Sequence, residues 1–156
     1  MTDNRGGGTV LSVQIPVELN AECYAGDQGN TTSVVRVGRV RSILVVDDTP
    51  AIRKIMQRFL KDHRVEVAVD GADGLDKMKE KKFDVVFLDM MMPVLDGAQC
   101  LPQFREWERD NRGGDNHHQI VYCMSATNVE LPPGFDGSMP KPVDTTRLLS
   151  MLQTLQ

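Results

Sequence analysis

Residues 42–60 read SILVVDDTPAIRKIMQRFL and contain the signals of a strand, a turn and a helix in succession. The run 43–46 is wholly aliphatic, as is typical of a parallel strand that is covered on both faces. After the acidic pair, Thr49 is placed to be a helix N-cap and Pro50 to occupy the first helical position. Apolar residues then recur at helical spacing, at Ile52, Ile55, Met56, Phe59 and Leu60. This stretch predicts one β-α unit of a parallel α/β sheet.

The same alternation continues along the rest of the chain. The almost wholly apolar runs 85–88 and 120–124 predict two further central strands, whereas 65–69 alternates and predicts a partly covered strand at an edge. A short fifth strand is predicted at 137–139. Further helices are predicted after Asp70, after Asp96-Gly97 and after a cap at Asp144 or Thr145. The fold class is therefore α/β, a doubly wound sheet of five parallel strands.

The amino-acid composition restricts the class of protein and the cellular compartment in which we expect it. The chain has 156 residues, 40% of them hydrophobic and 26% charged, with a net charge of −4. This is typical of a globular protein in the cytoplasm, and it gives no reason to expect nucleic-acid binding. There is no apolar run long enough to span a membrane and no signal-peptide core, so we expect no membrane contact. We predict an N-terminal extension and linker at 1–41, with one strand at 9–16, followed by the main domain at 42–156.

Polar residues that follow the central strands form a candidate site. Asp47 and Asp48 follow the first strand, Asp89 the third, Ser125 the fourth and Lys141 the fifth. Because functional groups of such sheets collect beyond the carboxyl ends of the strands, we expect these side chains to meet. Three adjacent carboxylates repel one another, so either some are protonated or a cation such as Mg²⁺ lies among them. With that charge offset, one carboxylate can act as a nucleophile toward a phosphoryl group.

The motifs that carry these residues resemble the receiver domains of two-component and phosphorelay signalling. The matching text is ILVVDD at 43–48, VVFLDMMMP at 85–93, Asp96-Gly97, Met124-Ser125-Ala126 and Lys141-Pro142-Val143. The resemblance covers 42–156 and implies a flavodoxin-like strand order 2-1-3-4-5. It also implies a cis peptide bond between Lys141 and Pro142.

The resemblance implies a role for each residue of the site. Asp89 would be the phosphoacceptor, Ser125 would bond the bound phosphoryl group, and Lys141 would pair with it. The implied ligands of Mg²⁺ are Asp48 and Asp89 directly, Asp47 in the outer sphere and the backbone carbonyl of Met91.

The sequence departs from the family pattern between the fourth and fifth strands. Ser138 stands where receivers usually carry an aromatic switch residue. Receivers usually carry their fourth helix between these two strands. Here the motif Pro132-Pro133-Gly134 leaves too few proline-free residues for it, so we expect helix four to be shortened or absent. The loop before the fourth strand, 109–118, is long and hydrophilic. Its His117 and His118 have no third ligand nearby, so we expect a surface loop there rather than a metal site.

The text GGGTVLSVQIP at 6–16 resembles the closing strand of a histidine-kinase ATP-binding domain. We therefore interpret the chain as the C-terminal receiver of a hybrid histidine kinase, which takes a phosphoryl group from a phosphohistidine and turns over no substrate. The implied partners are a histidine kinase or a histidine phosphotransfer protein, docked over the first predicted helix, and the chain is expected to be a monomer. Alternatives are a stand-alone regulator, a docking receiver that is not phosphorylated and, ranked lower, an Asp-nucleophile phosphatase.

Overall fold

Strands and helices alternate along the chain. A computed structural model describes residues 39–111, 118–126 and 130–155. The predicted extension at 1–41 lies almost wholly outside the described residues, as does the strand predicted at 9–16. The elements are β1 (Ser42–Val46), α1 (Pro50–Phe59), β2 (Arg64–Ala68), α2 (Gly71–Glu80), β3 (Val85–Asp89), α3 (Gly97–Asp110), β4 (Ile120–Ser125), β5 (Gly137–Pro140) and α4 (Thr145–Thr154). Among the described residues, no helix is both long enough and apolar enough to cross a membrane.

The five strands form one parallel sheet in the order β2-β1-β3-β4-β5, which confirms the predicted fold class and strand order. The central strand β3 is buried along its whole length. The edge strand β2 is buried only at Ala68. This contrast is the one that their apolar and alternating sequences predicted.

Alternate residues of the central strands supply two apolar cores. In β1, Leu44 and Val46 pack with Leu101 of α3 in one core. Ile43 and Val45 pack in the other, where their partners include Met56, Leu60, Leu148 and Leu152 from α1 and its C-terminal end and from α4. Because successive strand residues point to opposite faces, the all-apolar sequence of β1 needs a helical layer on each side.

Aspartate side chains cap the N-termini of three of the four described helices. The side chains of Asp70, Asp96 and Asp144 accept hydrogen bonds from backbone amides in the first turns of α2, α3 and α4. At α1, Pro50 occupies the first helical position as predicted, but the side chain of Thr49 makes no capping bond. The Thr49 amide instead donates to Asp47 Oδ1 at 2.8 Å, so this turn is organised by the aspartate that follows β1.

The described residues between β4 and β5, 126 and 130–136, contain no helix. This agrees with the prediction that the helix usually found between these two strands of a receiver is shortened or absent. Phe135 from this segment is buried in the core on the α2 and α3 side. The segment is held by Arg105 of α3, which donates to the carbonyl of Gly134 at 3.1 Å and to Asp136 Oδ2 at 2.8 Å. Asp136 Oδ2 also accepts from the amide of Val121 at 2.8 Å, so the carboxylate links the segment to β4.

The network around Arg105 includes His118, which was predicted only to lie in a surface loop. His118 is partly exposed, but its Nε2 lies 2.8 Å from Asp136 Oδ1. Arg105 also pairs with the buried Glu108 at 2.8 Å, and Glu108 accepts from the amide of Gln119 at 2.8 Å. His118 and Gln119, immediately before β4, are thus tied to α3.

Candidate functional site

The carboxyl ends of β1, β3 and β5 bring two aspartates and a lysine into direct contact. Asp47 follows β1 and is fully buried, and Asp89 is the last residue of β3 and is 4% exposed. Lys141 follows β5, and its Nζ lies 2.8 Å from Asp47 Oδ2 and 2.8 Å from Asp89 Oδ2. Asp48 is exposed at the mouth of the site. The structure therefore brings together the side chains that follow three strands, as the strand-end argument predicted.

Burial and charge shift the proton affinities of this cluster. Burial raises the pKa of Asp89, although Lys141 acts in the opposite direction. Burial alone would lower the pKa of Lys141, but the two carboxylates outweigh it and raise the pKa above its usual value. Lys141 therefore stays charged at neutral pH and offsets part of the negative charge.

The donor set of the site fits a hard divalent cation. One carboxylate oxygen from each of Asp47, Asp48 and Asp89 can be chosen so that all three lie within 4.8 Å of one another. Asp47 Oδ2 is buried and within ion-pair distance of Lys141, but it has no aligned hydrogen-bond partner among the described residues. A buried carboxylate oxygen without such a bond is costly unless a positive charge or an ordered water faces it. Clustered carboxylate oxygens of this kind suit Mg²⁺.

The turn between β1 and α1 is fixed from both sides. The amide of Thr49 holds Asp47 Oδ1, and the guanidinium of Arg53 donates to the backbone carbonyl of Asp47. Helical periodicity alone predicts that Arg53 lies with Lys54, Gln57, Arg58 and Lys61 on the outer face of α1. Its half-buried guanidinium instead belongs to the support of the site, because it bonds the backbone of a site residue.

The loop between β3 and α3 is held close to Asp89. The amide of Met91 donates to Asp89 Oδ1 at 3.3 Å, and the amide of Met90 donates to the carbonyl of Met124 at 3.0 Å. A side chain at Gly97 would bring its Cβ to 2.5 Å from the Asp89 carbonyl oxygen, so only glycine allows this approach. The backbone of Met91, predicted to supply a metal ligand, therefore lies beside the Asp89 carboxylate.

The fourth and fifth strands place the remaining predicted residues. Ser125 ends β4, and its carbonyl accepts from the amide of Lys141 at 2.8 Å. The peptide bond between Lys141 and Pro142 is cis, as predicted. Ser138 is exposed. Beside Ser125 opens a cleft of about 420 Å³, lined by Met90, Met91, Cys123, Ser125, Leu131, Pro132, Ser138, Met139, Pro140 and Arg147.

Two solved structures have the same fold. The receiver domain of Ssk1 from Saccharomyces cerevisiae, in complex with the histidine phosphotransfer protein Ypd1, is 23% identical with a TM-score of 0.65, covering 75% of this chain and 91% of that chain. The receiver domain of the sensor histidine kinase PA1611 from Pseudomonas aeruginosa, with a magnesium ion coordinated in its active-site cleft, is 22% identical with a TM-score of 0.63. That match covers 75% of this chain and 98% of that chain.

Sequence comparison identifies the family. The response regulator MprA of Mycobacterium sp. (strain KMS) is 35% identical over 119 residues, which cover 72% of this chain. The chain spans 49% of the length of that relative. The family model of the response regulator receiver domain matches residues 43–153. This range contains all five strands and four helices of the described residues, apart from Ser42 of β1 and Thr154 of α4. With its strand order and its acidic cluster at the strand ends, the chain belongs to the response regulator receiver domain family.

Proposed function

We propose that this chain accepts a phosphoryl group from a phosphohistidine onto Asp89. The observation that carries the proposal is the contact of Lys141 Nζ with both Asp47 and Asp89, each at 2.8 Å, in a buried pocket. A lysine held between two carboxylates supplies positive charge next to one potential nucleophile. Asp47 and Asp89 both pair with this lysine and each accepts one backbone amide, but Asp47 is fully buried whereas Asp89 is 4% exposed. The resemblance to receivers also implies that Asp89 is the phosphoacceptor, so we assign the reaction to Asp89.

The transfer exchanges one bond to phosphorus for another. An Asp89 carboxylate oxygen attacks the phosphorus, the P–N bond of phosphohistidine breaks, and its electron pair returns to the imidazole nitrogen. The product is an acyl phosphate on Asp89 and a histidine. Lys141 and the hydroxyl of Ser125 would bind the equatorial phosphoryl oxygens, whose charge must be stabilised in the transition state.

The acidic cluster would hold Mg²⁺ during this reaction. Asp48 and Asp89 are proposed as direct ligands, with the carbonyl of Met91, and Asp47 lies in the outer sphere. When bound, the ion offsets the negative charge that the carboxylates and phosphoryl oxygens bring together. The solved receiver of PA1611 with magnesium in its active-site cleft supports this proposal, as does the clustering of the three carboxylates.

The partner is proposed to be a histidine kinase or a histidine phosphotransfer protein. Support comes from the complex of Ypd1 with the Ssk1 receiver, which has the same fold. We further propose that the chain is the receiver of a hybrid histidine kinase in the cytoplasm, and that it acts as a monomer. In this role it catalyses only its own phosphorylation and dephosphorylation and turns over no separate substrate.

Intact mass spectrometry after incubation with phosphoramidate and Mg²⁺ tests the proposal. The wild-type chain should gain one phosphoryl group, because phosphoramidate carries the same kind of P–N bond as phosphohistidine. Asp89→Asn should gain none. The matched control is Asp76→Asn, which makes the same change at an exposed position on α2 and should be labelled like the wild type.

Two outcomes would contradict the proposed function. One is no labelling of a folded wild-type chain, which would favour a docking receiver that is not phosphorylated. The other is undiminished labelling of Asp89→Asn. Steady release of inorganic phosphate from a phosphate monoester would instead indicate a phosphatase.

A further inference from the structure

Asp48 is the least restrained side chain of the acidic cluster. It is exposed, whereas Asp47 and Asp89 are buried. The hydrogen bond that its carboxylate accepts from the hydroxyl of Thr49 is long, at 3.3 Å. One of its oxygens nevertheless lies within 4.8 Å of an oxygen of each of the other two carboxylates. The place of Asp48 in the cluster therefore depends on the backbone that carries it.

The backbone on the two sides of Asp47 is held by different elements. The amide of Asp47 donates to the carbonyl of Ala68 in β2 at 3.2 Å. The carbonyl of Asp47 accepts from the guanidinium of Arg53 in α1. This carbonyl belongs to the peptide unit that joins Asp47 to Asp48. Because a peptide unit is planar, the arginine fixes the orientation of the backbone that leads into Asp48.

Arg53 stands at a position where the helix itself does not favour a cation. It is the fourth residue of α1, and its amide donates to the Thr49 carbonyl at 3.2 Å. The helix dipole is positive at this end, and the first turn of α1 contains no acidic residue. The side chain is half-buried, so a long flexible chain is also ordered. Helix formation alone does not explain this arginine, whereas its bond to the Asp47 carbonyl gives it a role outside the helix.

A carboxylate outside the acidic cluster offsets part of the charge of Arg53. Burial raises the pKa of Asp73, in the first turn of α2, but Lys77, the Val69 amide and the charge of Arg53 outweigh burial and lower that pKa. Arg53 therefore lies within electrostatic range of Asp73. This leaves less positive charge to oppose a cation at the acidic cluster.

We infer that Arg53 is a positioning residue for Mg²⁺, which holds the Asp47–Asp48 peptide and thereby keeps the Asp48 carboxylate within the acidic cluster. This inference rests on the Mg²⁺ site of the proposed function and adds a residue that sets its affinity. Arg53 acts through the backbone and is not a ligand, because a guanidinium has no electron pair to offer a metal at neutral pH. A ligand that is already oriented loses little conformational entropy when the ion binds.

Removal of the Arg53 side chain has two consequences of opposite sign. The loss of a positive charge near three carboxylates would by itself strengthen Mg²⁺ binding. The loss of the bond to the Asp47 carbonyl would free the peptide and weaken Mg²⁺ binding. The direction of the change in Kd therefore distinguishes positioning from charge.

Isothermal titration calorimetry with Mg²⁺ tests the inference. Arg53→Met should raise the Kd for Mg²⁺ about tenfold, although a positive charge is lost, because groups that orient metal ligands typically contribute about 10–100-fold to affinity. Lys54→Met is the matched control, because Lys54 is the next residue of α1 and is exposed. It makes the same change in charge, so its Kd should equal the wild-type value or lie below it.

Labelling by phosphoramidate separates positioning from damage to the fold. The Mg²⁺ concentration that gives half the maximal rate should rise in Arg53→Met by the same factor as the Kd. At saturating Mg²⁺ the variant should be labelled at the wild-type rate, because Asp89 and Lys141 are unchanged.

An unchanged or lower Kd in Arg53→Met would overturn the inference, as would an equal rise in Lys54→Met. Slow labelling of Arg53→Met that saturating Mg²⁺ does not restore would also overturn it, because the arginine would then serve the fold or the reaction itself. If the wild type does not bind Mg²⁺, the metal assignment of the proposed function fails and this inference fails with it. Mg²⁺ binding by the wild type with the same Kd in Arg53→Met refutes only the role of Arg53.

Discussion

Replacing Arg105 with alanine should destabilise the protein strongly, although Arg105 is not one of the residues of the Asp89 site. Its guanidinium pairs with Glu108 and Asp136 at 2.8 Å each and donates to the carbonyls of Gly134 and Gln119 at 3.1 and 2.9 Å. The arginine side chain is only 17% exposed. These bonds hold the segment between β4 and β5, where the described residues contain no helix. Their loss removes the main polar attachment of that segment to α3.

The expected loss follows from how exposed each partner is. Glu108 is buried, and its hydrogen bond with Arg105 contributes about 2–3 kcal/mol, since the buried carboxylate loses the positive charge of the guanidinium. Asp136 is partly exposed, so its pair contributes about 0.5–1 kcal/mol after solvent screening. Water replaces most of the bond to Gly134, which is exposed. We therefore expect Arg105→Ala to lower the free energy of unfolding by about 3 kcal/mol.

Urea unfolding at neutral pH measures this loss. With an m-value of about 2 kcal/mol per molar, the midpoint should fall by about 1.5 M. Arg109→Ala is the matched control, because Arg109 is on the same helix but is 70% exposed, and its ion pairs with described residues are long, at 3.6 and 4.0 Å. It should cost less than about 0.5 kcal/mol. If Arg105→Ala lost under 1 kcal/mol, or no more than Arg109→Ala, the network would not hold this segment.

Further predictions concern pH, the site and assembly. Burial raises the pKa of Glu108, but the Gln119 amide and Arg105 outweigh it and hold the pKa below the usual value. The stability from Glu108 is therefore present above its unfolded pKa and lost as pH falls through the folded one, so urea midpoints should drop less with acid in Glu108→Gln than in the wild type. Lys141→Met should destabilise the metal-free protein by about 2–4 kcal/mol, because two buried carboxylates lose their cation, and Mg²⁺ should raise its unfolding temperature more than that of the wild type. Asp48→Ala should abolish Mg²⁺ binding by calorimetry and labelling by phosphoramidate, with the circular dichroism spectrum unchanged; labelling at the wild-type rate would contradict the metal assignment. Light scattering with beryllofluoride should show no dimer that uses the face at 136–156, because the helix that would complete that face is absent from the described residues; a dimer mapped there would contradict this.

The convergence of charged side chains at the carboxyl ends of the strands is the part of the site that could be predicted from the sequence. The wholly apolar runs before Asp47 and Asp89 fixed their strands in the sheet centre, and a parallel sheet brings such ends to one edge. The convergence with Lys141 then followed from the topology alone. The proline-glycine motif at 132–134 likewise predicted that no full helix would form before β5, because proline in the interior of a helix removes a hydrogen bond and clashes with the preceding turn. The described residues between β4 and β5 contain none.

Three other features could not be predicted from sequence. The network of Arg105 joins α3, the start of β4 and the segment before β5, and no local spacing relates these positions. Val94 carries no sequence signal of a positive φ, since the usual occupants of that conformation are glycine and asparagine. Arg53 could be placed on α1 by helical periodicity, but its bond to the Asp47 carbonyl depends on the path of the β1–α1 turn.

The lack of a helix among the described residues between β4 and β5 is compatible with an intact site, because the crossover segment is attached at one end of the strands and the site lies at the other. Asp136 and Gln119 act where β4 and β5 begin, through bonds to Val121 and to Glu108. Lys141 and Ser125 act where the same strands end. The strands between them are fixed by their own backbone ladder, with Cys123 opposite Ser138 and Ser125 opposite Pro140. The crossover can therefore be held by charges at one end of the sheet, while the phosphoryl chemistry that we propose at the other end needs only that this ladder remain in register.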